Sequence, residues 1–123
     1  RELYLDHICI MRMDMLITGL NRLEKLHLSS NLCEYISSHV FFKMTSLITL
    51  FLNWNSLSKM EESDNVELRI LFRENRELQT LNLSANGFSQ LPLDIFVTNT
   101  KLEVLDLSKN FLHKTHWLTG ALV

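Results

Sequence analysis

The sequence has few of the residues that mark a flexible linker, since only three of its 123 residues are glycine and one is proline. No stretch rich in glycine, serine or proline divides the chain into parts. The length fits one globular unit of modest size. We therefore expect a single structural unit with no internal domain boundary.

A strong charge imbalance is also missing, because 12 basic and 14 acidic residues give a formal net charge of −2. No basic excess indicates nucleic-acid binding, and no run of like charges predicts a tail. No stretch approaches the roughly 18 to 20 continuous apolar residues of a membrane span. The segment is therefore not expected to bind nucleic acid or to cross a membrane.

What the sequence does contain is one phrase that returns along its length, L-x-x-L-x-L-x-x-N-x-L, which is the leucine-rich repeat pattern. The phrase reads LQTLNLSANGF from Leu78 and LEVLDLSKNFL from Leu102. Its first leucines stand at positions 23, 47, 78 and 102, with spacings of 24, 31 and 24 residues. The third repeat therefore has about seven extra residues, around Glu61 to Glu67.

The period predicts one array of about five repeats over residues 1–123. A truncated first repeat keeps only Leu3, Leu5, Ile8 and Ile10 of the phrase. Neither end carries a polar capping repeat or a cysteine cluster, so we expect a segment of a longer protein. An upstream leader stays open, since Arg1 lies inside a repeat. The expected repeats are 1–22 (partial), 23–46, 47–77 (with the insertion), 78–101 and 102–123 (partial).

Alternation within each phrase predicts a short strand whose leucines point one way and whose intervening residues point the other. Stacked strands bury the leucines, which predicts an α/β leucine-rich repeat solenoid. A curved parallel β-sheet would form its concave face, with loops and short helical turns on the convex face. An apolar residue six places before each first leucine supports this register; these residues are Ile17, Phe41, Phe72 and Phe96.

Two further features concern the turns of each repeat. A side-chain amide both donates and accepts hydrogen bonds, which predicts a structural ladder at the asparagine of each phrase. The ladder residues are Asn31, Asn55, Asn86 and Asn110, whereas Ile8 replaces the first asparagine. In the insertion, Ser63 or Asp64 is expected to cap about two helical turns, with Glu67 completing a capping box. The inner side of that helix is expected to present Val66, Ile70 and Leu71.

The two cysteines form neither a CxxC pair nor a zinc spacing. Cys33 takes an inward position of the phrase, whereas Cys9 stands one place before the equivalent position and is expected to point outward. Opposite directions weigh against a disulfide, so both thiols are expected to be free, although pairing between stacked repeats stays open.

At LNLSANGFSQLPLDIF and LEVLDLSKNFL the chain resembles the extracellular repeats of Toll and Toll-like receptors. The pair Leu91-Pro92 and the later Phe96 are similar to their typical 24-residue repeat. The resemblance implies a horseshoe ectodomain that recognises a protein or microbial ligand and dimerises, located extracellularly on a cell-surface receptor or in a secreted protein. Two alternatives stay open: a secreted immune or matrix scaffold, and an intracellular leucine-rich repeat regulator.

Candidate binding residues lie at the outward strand positions of the expected concave face. Repeat three places apolar side chains there, where small polar residues are common. Aromatics flanked by polar groups are typical of interface anchors. The predicted ligand-binding patch comprises Tyr4, His27, Ile48, Phe51 and Trp54. Alternatively, these side chains are scattered apolar residues of the surface, or they pack on their own neighbours.

Asn82-Leu83-Ser84 is an N-glycosylation sequon at an outward strand position, and a glycan there would crowd Phe51. His113-x-x-His116 has no third ligand in view and is expected to be solvated. His7 and His27 would sense pH if a carboxylate such as Asp6 were close.

No glycine-rich nucleophile turn or phosphate loop accompanies the serines and histidines of the expected concave face. The sequence therefore predicts a non-enzymatic binding segment without a cofactor or metal. The resemblance to Toll-like receptors implies that its function is ligand recognition and receptor dimerisation.

Overall fold

The computed structural model describes residues 1–13, 20–62 and 66–112. These residues contain seven short strands, one 3-10 helix and one α-helix. The strands are β1 (Glu2–Tyr4), β2 (Arg12–Met13), β3 (Lys25–His27), β4 (Tyr35–Ile36), β5 (Thr49–Phe51), β6 (Thr80–Asn82) and β7 (Val104–Asp106). The 3-10 helix spans Leu57–Glu62, and the α-helix, α1, spans Val66–Arg69. No helix in these ranges is long and apolar enough to cross a membrane.

Five of the strands form one sheet in the order β1-β3-β5-β6-β7, and every neighbouring pair is parallel. The register places the equivalent leucines side by side: Leu3, Leu26, Leu50, Leu81 and Leu105. The predicted parallel-sheet solenoid is therefore confirmed. A second parallel pair, β2 with β4, follows the turns of repeats one and two, and the sequence analysis did not predict it.

Burial follows the alternation of the phrase. Leu26 is fully buried, whereas Lys25 before it is exposed and His27 after it is half-buried. Each fully buried leucine contributes about 1.5–3 kcal/mol relative to an exposed one, which makes the leucine stack the main source of stability. On the opposite side of the core, the buried rings of Phe41, Phe72 and Phe96 stack in series with centroids 6.2 and 6.1 Å apart.

The phrase asparagines join each turn to the turn before it. The Nδ2 of Asn55 donates to the carbonyl of Leu52 in its own repeat (2.9 Å) and of Leu28 in the preceding one (3.0 Å). Its Oδ1 accepts from the backbone N–H groups of Asn31 and Cys33, both in the preceding repeat. Donors and acceptors in the same relation surround Asn31, Asn86 and Asn110. Each amide therefore supports the turn that precedes it.

This direction explains how the first repeat tolerates an isoleucine in place of the amide. The Oδ1 of Asn31 accepts from the backbone N–H of Ile8 at 2.9 Å and of Ile10 at 3.4 Å. The Nδ2 of Asn31 also donates to the carbonyl of Leu5 at 2.9 Å. The turn that contains Ile8 thus receives its side-chain hydrogen bonds from the next repeat.

Two further buried asparagines bind backbone carbonyls next to the phenylalanine stack. Asn75 donates to the carbonyls of Phe41 and Met44, and Asn99 donates to those of Phe72 and Asn75, all at 2.9–3.0 Å. Within the described residues, the Oδ1 atoms of both asparagines have no hydrogen-bond partner. The sequence analysis missed this pair, although each member stands three places before a first leucine and the two are 24 residues apart.

The insertion differs from its prediction in two respects. Instead of two α-helical turns, the chain forms the 3-10 helix and then the single turn of α1. Leu68 and Leu71 are buried and Ile70 is half-buried, but Val66 is 50% exposed, so its predicted inward position is wrong. Because one turn buries only the face that meets the core, Leu68 replaces Val66. The Glu67 carboxylate accepts from the backbone N–H of Ser38 at 2.6 Å, and Ser63 and Asp64 lie outside the described residues.

Candidate functional site

The outer face of the five-stranded sheet, which we call the concave face, carries a continuous aromatic stack over its first three strands. Tyr4, His27 and Phe51 are direct neighbours in register, one from each of β1, β3 and β5. The Tyr4 and His27 rings lie 4.1 Å apart at 15°, and the His27 and Phe51 rings lie 4.9 Å apart at 23°. Equivalent positions on parallel strands thus produce a preformed stack, which we call the aromatic half.

A carboxylate completes this half. Oε2 of Glu2 accepts a hydrogen bond from the Tyr4 hydroxyl at 2.7 Å and lies 2.7 Å from Nε2 of His27. The hydrogen bond from Tyr4 and then that from His27 lower the pKa of Glu2, and the same bond raises the pKa of Tyr4. The sequence analysis missed Glu2, which is diagonal to His27 across the pair of strands and therefore within reach of it.

The carboxylate expected beside the histidines was a different one. Oδ1 of Asp6 accepts from the backbone N–H of Ser29 at 2.5 Å, so Asp6 supports the turn after β3. His7 is exposed, with a backbone φ of 60°. Within the described residues, His27 is the one candidate pH-sensing histidine that contacts a carboxylate, and that carboxylate is Glu2.

Trp54 lies beside the aromatic half in a row of residues with left-handed backbone, three places after the outward third residue of each strand. The row comprises His7, Ser30, Trp54, Ala85 and Lys109, with φ between 57° and 60°. Such a conformation costs on the order of 1 kcal/mol for a residue other than glycine, and the array holds it by hydrogen bonds between repeats. The N–H of Trp54, for example, donates to the carbonyl of Ser84 at 3.0 Å.

This row lets Trp54 extend over the next repeat. The Nζ of Lys109 lies 5.2 Å from the centroid of the Trp54 ring, although the two residues are two repeats apart. The residue between them in the row is Ala85, whose small side chain leaves room for the contact. Trp54 remains 55% exposed and therefore presents most of its ring to solvent.

The five predicted patch residues differ in how open they are. Tyr4 and Trp54 are exposed, at 64% and 55%. His27, Phe51 and Ile48 are half-buried. Ile48 precedes β5, and its carbonyl accepts from the N–H groups of Gln79 and Thr80, which fixes it at the start of the central strand. The stack therefore brings Tyr4, His27 and Phe51 together, whereas Trp54 and Ile48 flank them.

The central positions of the last two strands are polar, and we call them the polar half. Asn82 on β6 pairs in register with Phe51 on one side and with Asp106 of β7 on the other. Oδ1 of each of the two accepts from the backbone N–H two residues later, that of Ser84 or Ser108, at 2.9 Å. Hydrogen bonds from the hydroxyl and then the backbone N–H of Ser108 lower the pKa of Asp106.

The remaining candidates take no part in this face. Cys9 is exposed, Cys33 is buried, and both thiols are free; burial raises the pKa of the Cys33 thiol. No cluster of three or more metal-ligating side chains occurs within residues 1–13, 20–62 and 66–112. His113 and His116 lie outside those ranges. The concave face thus offers aromatic surface, hydroxyls and amides, which suit recognition of a partner.

Comparison with known proteins agrees with this repeat architecture. A family model described as leucine rich repeat matches residues 14–71 and 76–120. A Toll-like receptor 4 of Pinctada imbricata is 33% identical to the chain over 102 residues, which is 80% of this chain. The chain spans only 11% of the length of that relative, so the similarity concerns one segment of a much larger protein.

Proposed function

The chain belongs to the leucine-rich repeat family and resembles a Toll-like receptor segment, and from this premise we propose that it is a non-catalytic binding segment of an extracellular innate-immune receptor. Its proposed role is to present a rigid surface to a protein or microbial ligand. The observation that carries the proposal is the stack of Tyr4, His27 and Phe51 on the concave face, with Trp54 beside it.

The physical case rests on preorganisation. Each ring of the stack is fixed by its strand and by its neighbour, so little side-chain entropy remains to be lost on binding. Aromatic residues surrounded by polar groups are the usual energetic centres of interfaces. Glu2, Asp6 and the serines of the strand ends provide the polar surroundings here. The half-buried rings contribute rigidity, and the exposed rings of Tyr4 and Trp54 contribute the accessible area.

The test compares two aromatic substitutions with a matched control. The full-length gene product is displayed on animal cells, its surface exposure is checked by surface biotinylation, and heat-killed bacteria are the binding probe. Phe51→Ala with Trp54→Ala should lower binding about tenfold or more, as expected for interface anchors. The control is Phe42→Ala, since Phe42 is also an exposed aromatic residue but lies in the turn before β5.

Unchanged binding by the double variant, with wild-type surface levels, would contradict the aromatic site. A product that never reaches the cell surface or the medium would contradict the extracellular location and favour an intracellular regulator. A product found only in the medium would favour the secreted scaffold.

Receptor dimerisation belongs to the same proposal and is supported by the resemblance alone. Light scattering of the secreted ectodomain, with and without bacterial extract, tests it. We expect the mass to double with the extract, and a constant monomer mass would remove this part of the proposal.

A further inference from the structure

Asn82 differs from the asparagines inside the array in what its amide nitrogen does. The Nδ2 atoms of the phrase asparagines, and those of Asn75 and Asn99, donate to backbone carbonyls. Asn82 lies instead at the end of β6 on the concave face, half-buried, and its Oδ1 accepts from the backbone N–H of Ser84. Among the described residues, its Nδ2 donates to no protein group. The hydrogen bond holds the oxygen toward the chain and leaves the nitrogen on the outer face.

The same nitrogen is the acceptor atom of the sequon Asn82-Leu83-Ser84. The equivalent triplets of the other strands begin with His27, Phe51 and Asp106, so within this column only repeat four has an acceptor amide. The structure assigns a modification to this atom: we propose that Asn82 carries an N-linked glycan. The proposal rests on the extracellular location proposed above, since the transfer takes place in the secretory pathway.

The reaction needs nothing from this chain beyond the sequon. The donor is a lipid-linked oligosaccharide diphosphate, and the host transferase supplies the catalysis. The bond between Nδ2 and C1 of the first sugar forms, the bond between C1 and the diphosphate oxygen breaks, and Nδ2 loses one proton. The lipid diphosphate is the leaving group, and no oxidant or reductant is involved.

Folding must leave room for the attached sugar, and the register shows where it would emerge. Neighbouring strands of a sheet lie about 4.8 Å apart, so the first sugar would stand between Phe51 and Asp106. Ala85 presents only a methyl group in the adjacent left-handed row. A glycan rising from Asn82 would cover the polar half and border the aromatic half at Phe51. Tyr4 and His27 would remain open, which confines the ligand to the first three repeats.

The test uses the full-length gene product secreted from, or displayed on, animal cells. Trypsin releases residues 77–101 as one peptide, since no lysine or arginine lies between Arg76 and Lys101. Intact glycopeptides with fragment ions that locate the sugar on Asn82 are the expected result. Enzymatic deglycosylation read as deamidation is unsuitable on its own, because Asn86-Gly87 in the same peptide is a second deamidation-prone asparagine.

Three variants make the outcome unambiguous. Asn82→Gln and Ser84→Ala should each abolish the glycopeptide, and Ser84→Ala keeps the backbone hydrogen bond to Oδ1. Asp106→Asn creates the sequon Asn-Leu-Ser at the equivalent place one repeat later, where Oδ1 already has the same backbone partner. It should gain a second glycan on a separate tryptic peptide.

The failures of the two proposals are distinguishable. Wild-type protein that reaches the surface or medium with a bare Asn82 would overturn the glycan and leave the extracellular role intact. If the Asp106→Asn variant carried a glycan at position 106 while Asn82 stayed bare, the Asn82 glycan would likewise be overturned. The concave face would then accept a sugar that Asn82 does not receive. Protein confined to the cytosol would overturn both proposals.

Discussion

The aromatic half and the polar half of the concave face lie on the same repeat backbone and differ in the chemistry of their side chains. In the aromatic half the central column consists of Tyr4, His27 and Phe51, stacked ring on ring. In the polar half the same column continues as Asn82 and Asp106, each hydrogen-bonded to the serine two residues later. Both halves lie on the same parallel register, so the change of chemistry involves no change of backbone.

The buried residues that recur in every repeat and the outward central residues of the strands are under different structural constraints. Inward leucines, turn asparagines and stacked phenylalanines recur because every repeat must bury the same face against the next. An outward central residue contacts its lateral neighbours, nearby residues of the same face and solvent, so its identity can change from strand to strand. The difference between the halves therefore indicates specialisation of the surface over a constant core, and the predictions below test that separation.

The largest expected effect comes from the core that both halves share. Phe72→Ala should lower the free energy of unfolding by about 3–5 kcal/mol, because the ring is fully buried between Phe41 and Phe96. Chemical denaturation followed by circular dichroism measures the loss. Phe42→Ala is the matched control and should change stability by less than about 0.5 kcal/mol, since Phe42 is exposed. Equal losses in the two variants would mean that the phenylalanine stack does not hold the halves together.

The turn asparagines should show that the buried structure is the same in the repeats of the aromatic half and of the polar half. Asn55→Ala and Asn86→Ala should each cost about 1–3 kcal/mol, because either change leaves at least one buried N–H group of the preceding turn without its acceptor. Each change also removes one of the two amide donors that bind each of two backbone carbonyls. Denaturation midpoints of the two variants are the measurement. A loss of stability confined to one of the two variants would show that the buried structure differs between the two halves.

The leucine core and its turns could be predicted because the residues that form them recur in every repeat. The period placed the strands and the leucine core, and the structure confirms the parallel solenoid. The insertion did not repeat, so its prediction depended on local helix signals alone, and packing overrode them: Leu68 is buried and Val66 is exposed. Asn75 and Asn99 did repeat, but Met44 occupies the equivalent place in repeat two, which obscured the pattern.

The contacts of the outward central residues were harder to predict. A sequence shows which residues face outward but not which of their side chains contact one another. The aromatic positions were predicted individually, but stacking depends on ring orientation, which no spacing encodes. Glu2 was missed since its partner His27 is on another strand, and the pH-sensing hypothesis named Asp6 instead. Whether the patch binds a ligand stays a prediction.

The contact between Trp54 and Lys109 crosses the boundary between the two halves, and its energy would sharpen the comparison. The Trp54 ring and the Lys109 ammonium group should be coupled by about 0.5–1 kcal/mol, as for exposed cation–π pairs. A double-mutant cycle with Trp54→Ala and Lys109→Ala isolates that energy. In the Trp54→Phe background an aromatic ring remains at position 54, so Lys109→Ala should still lose part of the coupling energy. A coupling indistinguishable from zero would leave the two halves independent on their surfaces.

The smallest expected effect is the separate titration of one carboxylate in each half. The pKa of Glu2 is lowered by Tyr4 and then His27, and that of Asp106 by Ser108. A lowered pKa in the folded state means that the stabilisation is present above the ordinary value and is lost as pH falls through the folded value. Tyr4→Phe keeps the ring but removes the hydroxyl, so it should raise the pKa of Glu2 and leave Asp106 unchanged. Ser108→Ala should do the reverse. Carboxylate NMR titrations of the two variants measure both shifts, and a change in Asp106 on Tyr4→Phe would show that the halves are electrostatically coupled.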